Sequence, residues 1–403
     1  MKRDYDVIII GAGIVGLATA YQVLRSYPHL KIAVIEKENE PATHQTDRNS
    51  GVIHSGVYYK PGSLKASNCV EGRKELIQFA DEEKIPYEIC GKLITAVKEK
   101  ELPYLEKIFK NGQSNGVEDL EWLTAHEISR YEPYCQGLKA LYVGATGIID
   151  YRQVALRLRA LIEESGNGQV FTGQSVMGIT SFSQYHNEVK TQMQTFNGQY
   201  LVNCAGLYSD KIAEMAGVDP QVRIVPFRGD FYQLRNESQH KVRNLIYPVP
   251  DPDFPFLGVH FTRLLDGRIE CGPNATFVLK REGYSWKDID PEEAYESFRF
   301  PGTFKFFLQN WRQGLKEYKK SFFKKAFLKE IQRLIPSLAE KDIRPMRCGV
   351  RAAALDKAGN LLDDFVLEKH NNALHVLNAP SPAATSALAI GRQVRDKLLS
   401  SWR

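Results

Sequence analysis

Four residues near the start of the chain have the types and spacing needed to hold a diphosphate. Gly11, Gly13 and Gly16 belong to the run Gly11-Ala12-Gly13-Ile14-Val15-Gly16, and Glu36 follows twenty residues after the last glycine. Gly11 permits a tight turn, Gly13 lets backbone approach a pyrophosphate, and Gly16 lets a helix pack closely on a strand. Phosphates then sit on the unpaired amides around Ile14 and Val15, at the positive end of a helix dipole. Glu36, with Lys37 beside it, is placed to accept hydrogen bonds from adenosine ribose hydroxyls. A carboxylate there would repel a 2′-phosphate, which argues against NADP and leaves FAD and NAD open.

The elements around these residues suit the task. Tyr5–Ile10 is apolar and β-branched, as a buried parallel strand requires. Leu17–Arg25 is helix-prone, and Lys31–Ile35 is a second apolar strand ending at Glu36. Two further features favour FAD. The stretch Thr43–Tyr59 is dense in polar groups (Thr46, Arg48, Asn49, Ser50, His54, Ser55) and can follow a long pyrophosphate-flavin moiety. Near the other end, Leu377-Asn378-Ala379-Pro380-Ser381-Pro382 leads into an alanine-rich helix, Ala383–Leu399, with Pro382 suited to the first helical position. A helix N-terminus aimed at the flavin pyrimidine stabilises the negative charge that reduction places there. A solvated connection and simple core packing, served by Leu388, Ile390 and Val394, are the plainer readings of the two features.

A chain of 403 residues, 43% hydrophobic and 25% charged, is long enough for two cores and reads as globular. The apolar run Val7–Ile10 stops at Gly11, and no stretch approaches the ~20 apolar residues of a membrane crossing. The expected location is cytoplasmic, with peripheral attachment to the inner face of the cytoplasmic membrane as a further option. Six cysteines are scattered without a Cys-x-x-Cys pair, so no metal site is expected. The net charge of +5 is uneven: Thr303–Arg333 holds nine basic residues against two acidic ones. The rest of the chain is near −2 in net charge, which argues against nucleic acid as a partner.

Four blocks resemble the L-2-hydroxyglutarate dehydrogenase/oxidase family. They are Arg48-Asn49-Ser50-Gly51-Val52-Ile53-His54-Ser55-Gly56-Val57-Tyr58-Tyr59; Tyr247–Pro252 with Phe254–Thr262; Gly349-Val350-Arg351-Ala352; and Asn378–Ser386. The similarity covers essentially the whole chain. It implies a D-amino-acid-oxidase-like fold, both α/β and α+β: an FAD-binding Rossmann-like domain with a mixed-sheet substrate domain. The dinucleotide domain is expected to be discontinuous (1–84, 147–216 and 343–403). The substrate domain takes 85–146 and 217–342, including a basic aromatic helical segment, 303–335. The resemblance also implies cofactor contacts from Gly51, from Val176 near adenine, from the Ala205-Gly206 turn, and from Ser381, Pro382, Ala383, Ala384 and Thr385.

The implied reaction is oxidation of L-2-hydroxyglutarate to 2-oxoglutarate by hydride transfer to flavin N5. Another 2-hydroxy acid, glycerol 3-phosphate or an amine is the alternative substrate, and a flavoprotein whose FAD is structural is the non-enzymatic alternative. A base must take the hydroxyl proton, and a neutral imidazole suits that task near neutral pH. His260, in the apolar strand Leu257–Phe261, is the first candidate, with His54 as a flavin or substrate neighbour. Arginine holds carboxylates through paired hydrogen bonds. Arg351 is expected on the substrate anion, and Arg228 is a weaker choice for a distal carboxylate. Tyr58 and Tyr247 complete the expected substrate contacts, and Tyr59 and Lys65 are further candidates to close the pocket.

Phe307, Trp311, Leu315, Tyr318 and Phe322 recur at helical spacing among basic residues, and Phe323, Phe327 and Ile331 continue a second row. An apolar stripe flanked by cations is what an anionic membrane surface binds. Such attachment suits a quinone as electron acceptor, with oxygen the alternative. A helix pair packed on its own domain explains the stripe equally well.

Overall fold

The computed structural model describes residues 3–183, 186–251 and 257–399. Pro252 and Phe254-Pro255-Phe256 of the second family block lie outside them. Strand Tyr5–Ile10 is the centre of a largely parallel sheet, and its last four residues, Val7–Ile10, are buried as a strand covered on both faces must be. Ile32–Ile35 and then Gly168–Phe171 extend the sheet on one side. Thr195–Asn203 and then Ala373–Asn378 extend it on the other, all parallel. The hairpin Val176–Ser183/His186–Thr191 pairs with the first half of Thr195–Asn203. Helices Ile14–Ser26, Tyr151–Glu164 and Ala387–Leu399 pack together on one core.

A second, nine-stranded sheet is drawn from distant parts of the chain. Leu245–Pro248 runs parallel to Lys92–Ala96, and on its other side pairs with His260–Arg263. Val222–Leu234 pairs with Ile343–Asp356 from Val222 opposite Asp356 to Leu234 opposite Ile343. A small third sheet (Val52–Ile53, Gly147–Ile149, Tyr87–Glu88) links the loop after Glu36 to the second half of the molecule.

Two expectations change. Residues 343–356 belong to the second sheet rather than to the dinucleotide piece, because that strand finds its hydrogen-bond partner in Val222–Leu234 along nearly its whole length. The C-terminal helix begins at Ala387, not Ala383. Pro382 lies in the preceding turns, where its carbonyl accepts from the Ser386 amide, so it is not a first helical residue.

The basic aromatic segment forms two helices, Pro301–Phe322 and Lys324–Ile331. Its stripe divides. Phe307 packs on Phe277, Tyr318 donates to the Phe277 carbonyl, and Phe327 and Ile331 are fully buried. Trp311, Leu315, Phe322 and Phe323 are exposed, joined by Phe304 and Leu308. Half of the stripe is therefore core, and the outward row is Phe304, Leu308, Trp311, Leu315 and Phe322.

The two halves are tied by a buried ion pair. Arg281 donates to both oxygens of Asp210, at 2.6 and 2.8 Å, with exposures of 2% and 0%, and the Ile224 amide donates to the same carboxylate. Removing one partner leaves a buried charge without compensation. Asp210→Ala is expected to cost about 3–5 kcal/mol, read as the shift in urea unfolding. A loss below about 1 kcal/mol, the scale of an exposed pair, would show the tie to be dispensable.

Candidate active site

The glycine turn and the strand ends around it open a cleft. Gly11, Gly13, Glu36, Lys37, Thr46, Gln174, Val176, Ala205, Gly206, Lys211 and Glu282 are among its lining residues. Gly11 has φ +102°, which favours glycine, and a Cβ on Gly16 would lie 2.0 Å from the Gly11 carbonyl oxygen. Gly13 differs: its backbone is ordinary and extended, and a Cβ there would meet only Thr46 Oγ1, at 3.5 Å. The Glu36 carboxylate accepts from the amides of Ala12 (2.8 Å) and Glu38 (3.0 Å), which fixes it at the cleft wall. The Ile14 amide donates to Thr46 Oγ1 at 3.0 Å. By helix geometry the amides of Val15 and Gly16 have no intrahelical carbonyl.

A second set of residues gathers beyond the polar loop. His260 opens strand His260–Arg263, its Nδ1 lies 2.9 Å from the Gly258 carbonyl oxygen, and its ring stacks on Tyr247 at 4.0 Å. A carbonyl accepts only, so Nδ1 carries the proton and Nε2 is the basic nitrogen. Burial, and to a lesser degree the charges of Arg351 and Lys92, push the His260 pKa down to about 3. His54 is likewise held near 3 by burial and by Lys92, His260 and Lys65, and its Nε2 lies 3.3 Å from Ser381 Oγ. Arg351, pushed down to about 10 by burial, donates to the Asn274 carbonyl at 3.1 Å. Thr385 joins the two ends of the chain here: its hydroxyl accepts from the His54 amide, lies 2.7 Å from Tyr151 Oη and donates to the Val52 carbonyl.

Residues 6–397 match the family described as FAD dependent oxidoreductase. The chain belongs to that family. It is 47% identical over 400 residues to the L-2-hydroxyglutarate dehydrogenase of Indibacter alkaliphilus, covering 99% of this chain and 100% of the relative. It is 45% identical over 411 residues to the mitochondrial L-2-hydroxyglutarate dehydrogenase of Homo sapiens, covering 98% and 89%. Among solved structures it resembles the L-α-glycerophosphate oxidase of Mycoplasma pneumoniae with FAD bound, with a TM-score of 0.80 and 25% identity over 100% of this chain and 96% of that one. A glycine oxidase from Geobacillus kaustophilus shares the fold, with a TM-score of 0.73 at 16% identity over 98% and 95%.

This FAD-dependent oxidoreductase has the donor set that its cofactor requires. Free helix amides suit the diphosphate, Glu36 suits the ribose, and the space over Gly13 stays open. Other polar-loop residues have structural partners. Asn49 donates to the carbonyls of Gln45 and Thr46 and accepts from the Gly51 amide, so its side chain shapes the loop. Arg48 donates weakly to the Thr43 and Cys348 carbonyls, both at 3.4 Å, and stacks over Tyr284 at 4.2 Å, which leaves it bracing the loop against the second sheet. Burial pushes the Tyr247 phenol pKa up, and nearby Thr262 and Ser50 act in the opposite sense. Tyr247 offers its ring face to His260.

Arg228 does not fit the distal-carboxylate role. It donates to Asp230 at 2.7 Å and lies over Trp286 at 4.8 Å. The pairing of Phe227 with Arg351 and of Arg228 with Val350 also puts the two arginines on opposite faces of the sheet. Lys65 pairs with Asp363 at 2.6 Å. One residue drawn into this pocket had no signal in the sequence: Lys92. A lysine opening an apolar strand, Lys92-Leu93-Ile94-Thr95-Ala96, reads as a solvated end. Among the described residues one cluster has metal-binding geometry, Glu38, His44 and Glu282, and the Lys37 ammonium bridges both of its carboxylates.

Gly13 and Gly16 can be separated by experiment. Gly13→Val is expected to leave the apoprotein within about 0.5 kcal/mol of the parent, because no backbone or packed side chain blocks it. FAD affinity, read by fluorescence titration, should fall about 100-fold or more, the scale of about 3 kcal/mol of lost contacts. Retained affinity would place the diphosphate elsewhere.

Proposed function

We propose that this protein oxidises L-2-hydroxyglutarate to 2-oxoglutarate. The observation that carries the reading is the buried His260 imidazole, oriented by the Gly258 carbonyl and the Tyr247 ring, with the charge of Arg351 acting on it. The full-length relatives named as L-2-hydroxyglutarate dehydrogenases support the choice of substrate.

In this mechanism Arg351 binds one substrate carboxylate through parallel charge-assisted hydrogen bonds. That contact and the Tyr247-backed imidazole hold the substrate C2 hydroxyl toward His260 Nε2, so orientation supplies much of the rate. Bound FAD supplies the acceptor for the hydride that leaves C2. His260 takes the hydroxyl proton, so the substrate loses two electrons and two protons in total and becomes the 2-oxo acid. The buried imidazole is unprotonated at neutral pH, so its Nε2 is available to accept, and the negative charge of the bound substrate raises its basicity toward the operating range. His54, beside Ser381, neighbours the reacting centre.

Anaerobic titration with L-2-hydroxyglutarate should bleach the oxidised flavin band, and the D isomer should not. Bleaching only by glycerol 3-phosphate or an amine would overturn the substrate assignment. His260→Asn should keep FAD and lower kcat about 10²- to 10⁴-fold. The folded His260 is protonated only as pH falls through about 3. Between pH 5 and 8, therefore, kcat/KM, which reports the free enzyme, should show no acid limb at the ordinary imidazole value of about 6.5. An acid limb at that value, lost in His260→Asn, would contradict the buried neutral base.

The electron acceptor in this reading is a membrane quinone, with oxygen as the alternative. The outward row Phe304, Leu308, Trp311, Leu315 and Phe322 lies on a helix that also carries Lys305, Arg312, Lys316 and Lys319, the pattern of an anionic interface. Among the described residues no helix is long and apolar enough to cross a membrane. The holoenzyme should sediment with phosphatidylglycerol-containing vesicles and be released by salt. Trp311→Ser with Leu315→Ser should abolish sedimentation and leave flavin bleaching unchanged. Equal partition with and without vesicles would sink the membrane surface.

A further inference from the structure

We infer that Lys92 and the Tyr58 hydroxyl receive the distal carboxylate of the substrate and so select a dicarboxylate. The inference rests on the hydroxy-acid reading above. Lys92 opens strand Lys92–Ala96, with an exposure of 1%, yet its Nζ has no hydrogen-bond partner. It lies over two rings, 4.5 Å from the centre of Tyr58 and 4.9 Å from that of Tyr247. Tyr58 Oη is also buried without a partner. Two orphaned polar groups side by side in a protein interior point to something that completes them.

The contrast with other buried cations is informative. Arg281 is held by Asp210 and Lys65 by Asp363. Lys92 has the faces of aromatic rings, which attract a cation but supply no counter-charge. Burial accordingly pushes its pKa down to about 7, an environment in which an anion is the missing component. The location is right for the reaction. Tyr247, under the ammonium, is the ring stacked on His260, and the charges of both Lys92 and Arg351 act on that imidazole. A hydroxy acid with a carboxylate at each end can engage Arg351 with one and Lys92 with the other, its hydroxyl carbon at His260. Arg228, the other cation considered for this task, pairs with Asp230 and, although its Nη1 is also buried without a partner, lies on the opposite face of the sheet from Arg351.

The test uses the holoenzyme, with two ligand pairs that differ in the distal carboxylate. Glutarate and butyrate report equilibrium binding through the visible flavin spectrum. L-2-hydroxyglutarate and L-2-hydroxyvalerate report kcat and KM. Lys92→Met should raise the glutarate Kd and the hydroxyglutarate KM by about 10- to 100-fold, the scale of a hydrogen bond to a charged group. Butyrate and hydroxyvalerate should change by about twofold or less. Tyr58→Phe should shift the same ratios in the same direction by a smaller factor, and it serves as the test if Lys92→Met fails to retain FAD. An equal loss for both members of each pair, or a loss of kcat alone, would overturn the inference and make Lys92 a structural group or a proton carrier. If hydroxyglutarate fails to bleach the wild-type flavin while glutarate binding still depends on Lys92, the anion site stands and the proposed substrate falls. If wild type is bleached and the ratios in both variants match it, only this inference falls.

Discussion

Helix Ile14–Ser26 crosses the end of strand Tyr5–Ile10 so closely that a single methyl group at Gly16 would lie 2.0 Å from the Gly11 carbonyl oxygen. That approach sets the height of the helix over the sheet, and with it the position of the amides at its N-terminus. Glu36 answers from the end of the adjacent strand, held by the Ala12 amide of the same turn. Thr46, from the loop beyond, caps Ile14 and carries the chain across the cleft. The cofactor site is thus built from backbone spacing first and from side-chain chemistry second.

The proposed reaction pocket inverts this order. It is made of basic side chains in an interior that does not favour their charged forms. Burial keeps His54 and His260 neutral, lowers Lys92 toward neutrality, and weakens even Arg351. Four such groups repel one another when protonated, so the pocket is poised for an anion, whose charge would favour protonation of its imidazoles. Stacking on Tyr247 and the Gly258 carbonyl hold His260 in one orientation, which makes its basic nitrogen a fixed point.

Distant segments must converge for that pocket to exist. Thr385, near the C-terminus, hydrogen-bonds the His54 amide and the Val52 carbonyl, and the parallel pairing of Leu245–Pro248 with Lys92–Ala96 sets Tyr247 beside Lys92. The Arg281–Asp210 pair fastens the second sheet to the helix after Thr195–Asn203. The membership of Ile343–Asp356 in the second sheet means that Arg351 is positioned by strand pairing, not by the dinucleotide fold.

The glycine turn, Glu36 and the strand–helix–strand order were legible in the sequence because they are local: their spacing follows from one strand, one turn and one helix. Membership of the FAD-dependent oxidoreductase family was legible too, since its blocks are contiguous runs, and so were the basic charge of 303–333 and the helical period of its aromatic residues. What sequence period cannot say is which members of that stripe meet a core, and the structure buries Phe327 and Ile331 while leaving Trp311 and Leu315 outside. Arg228 pairs with Asp230, two residues on and on the same face of the strand, a local contact that the sequence reading did not weigh. Lys92 looked solvated until the sheet placed Tyr58 and Tyr247 around it. For the aromatic stripe and for Lys92 the deciding quantity is the covering of an apolar face or the surroundings of a charge, and both are set by residues far away in the chain that only tertiary packing brings within a few ångströms.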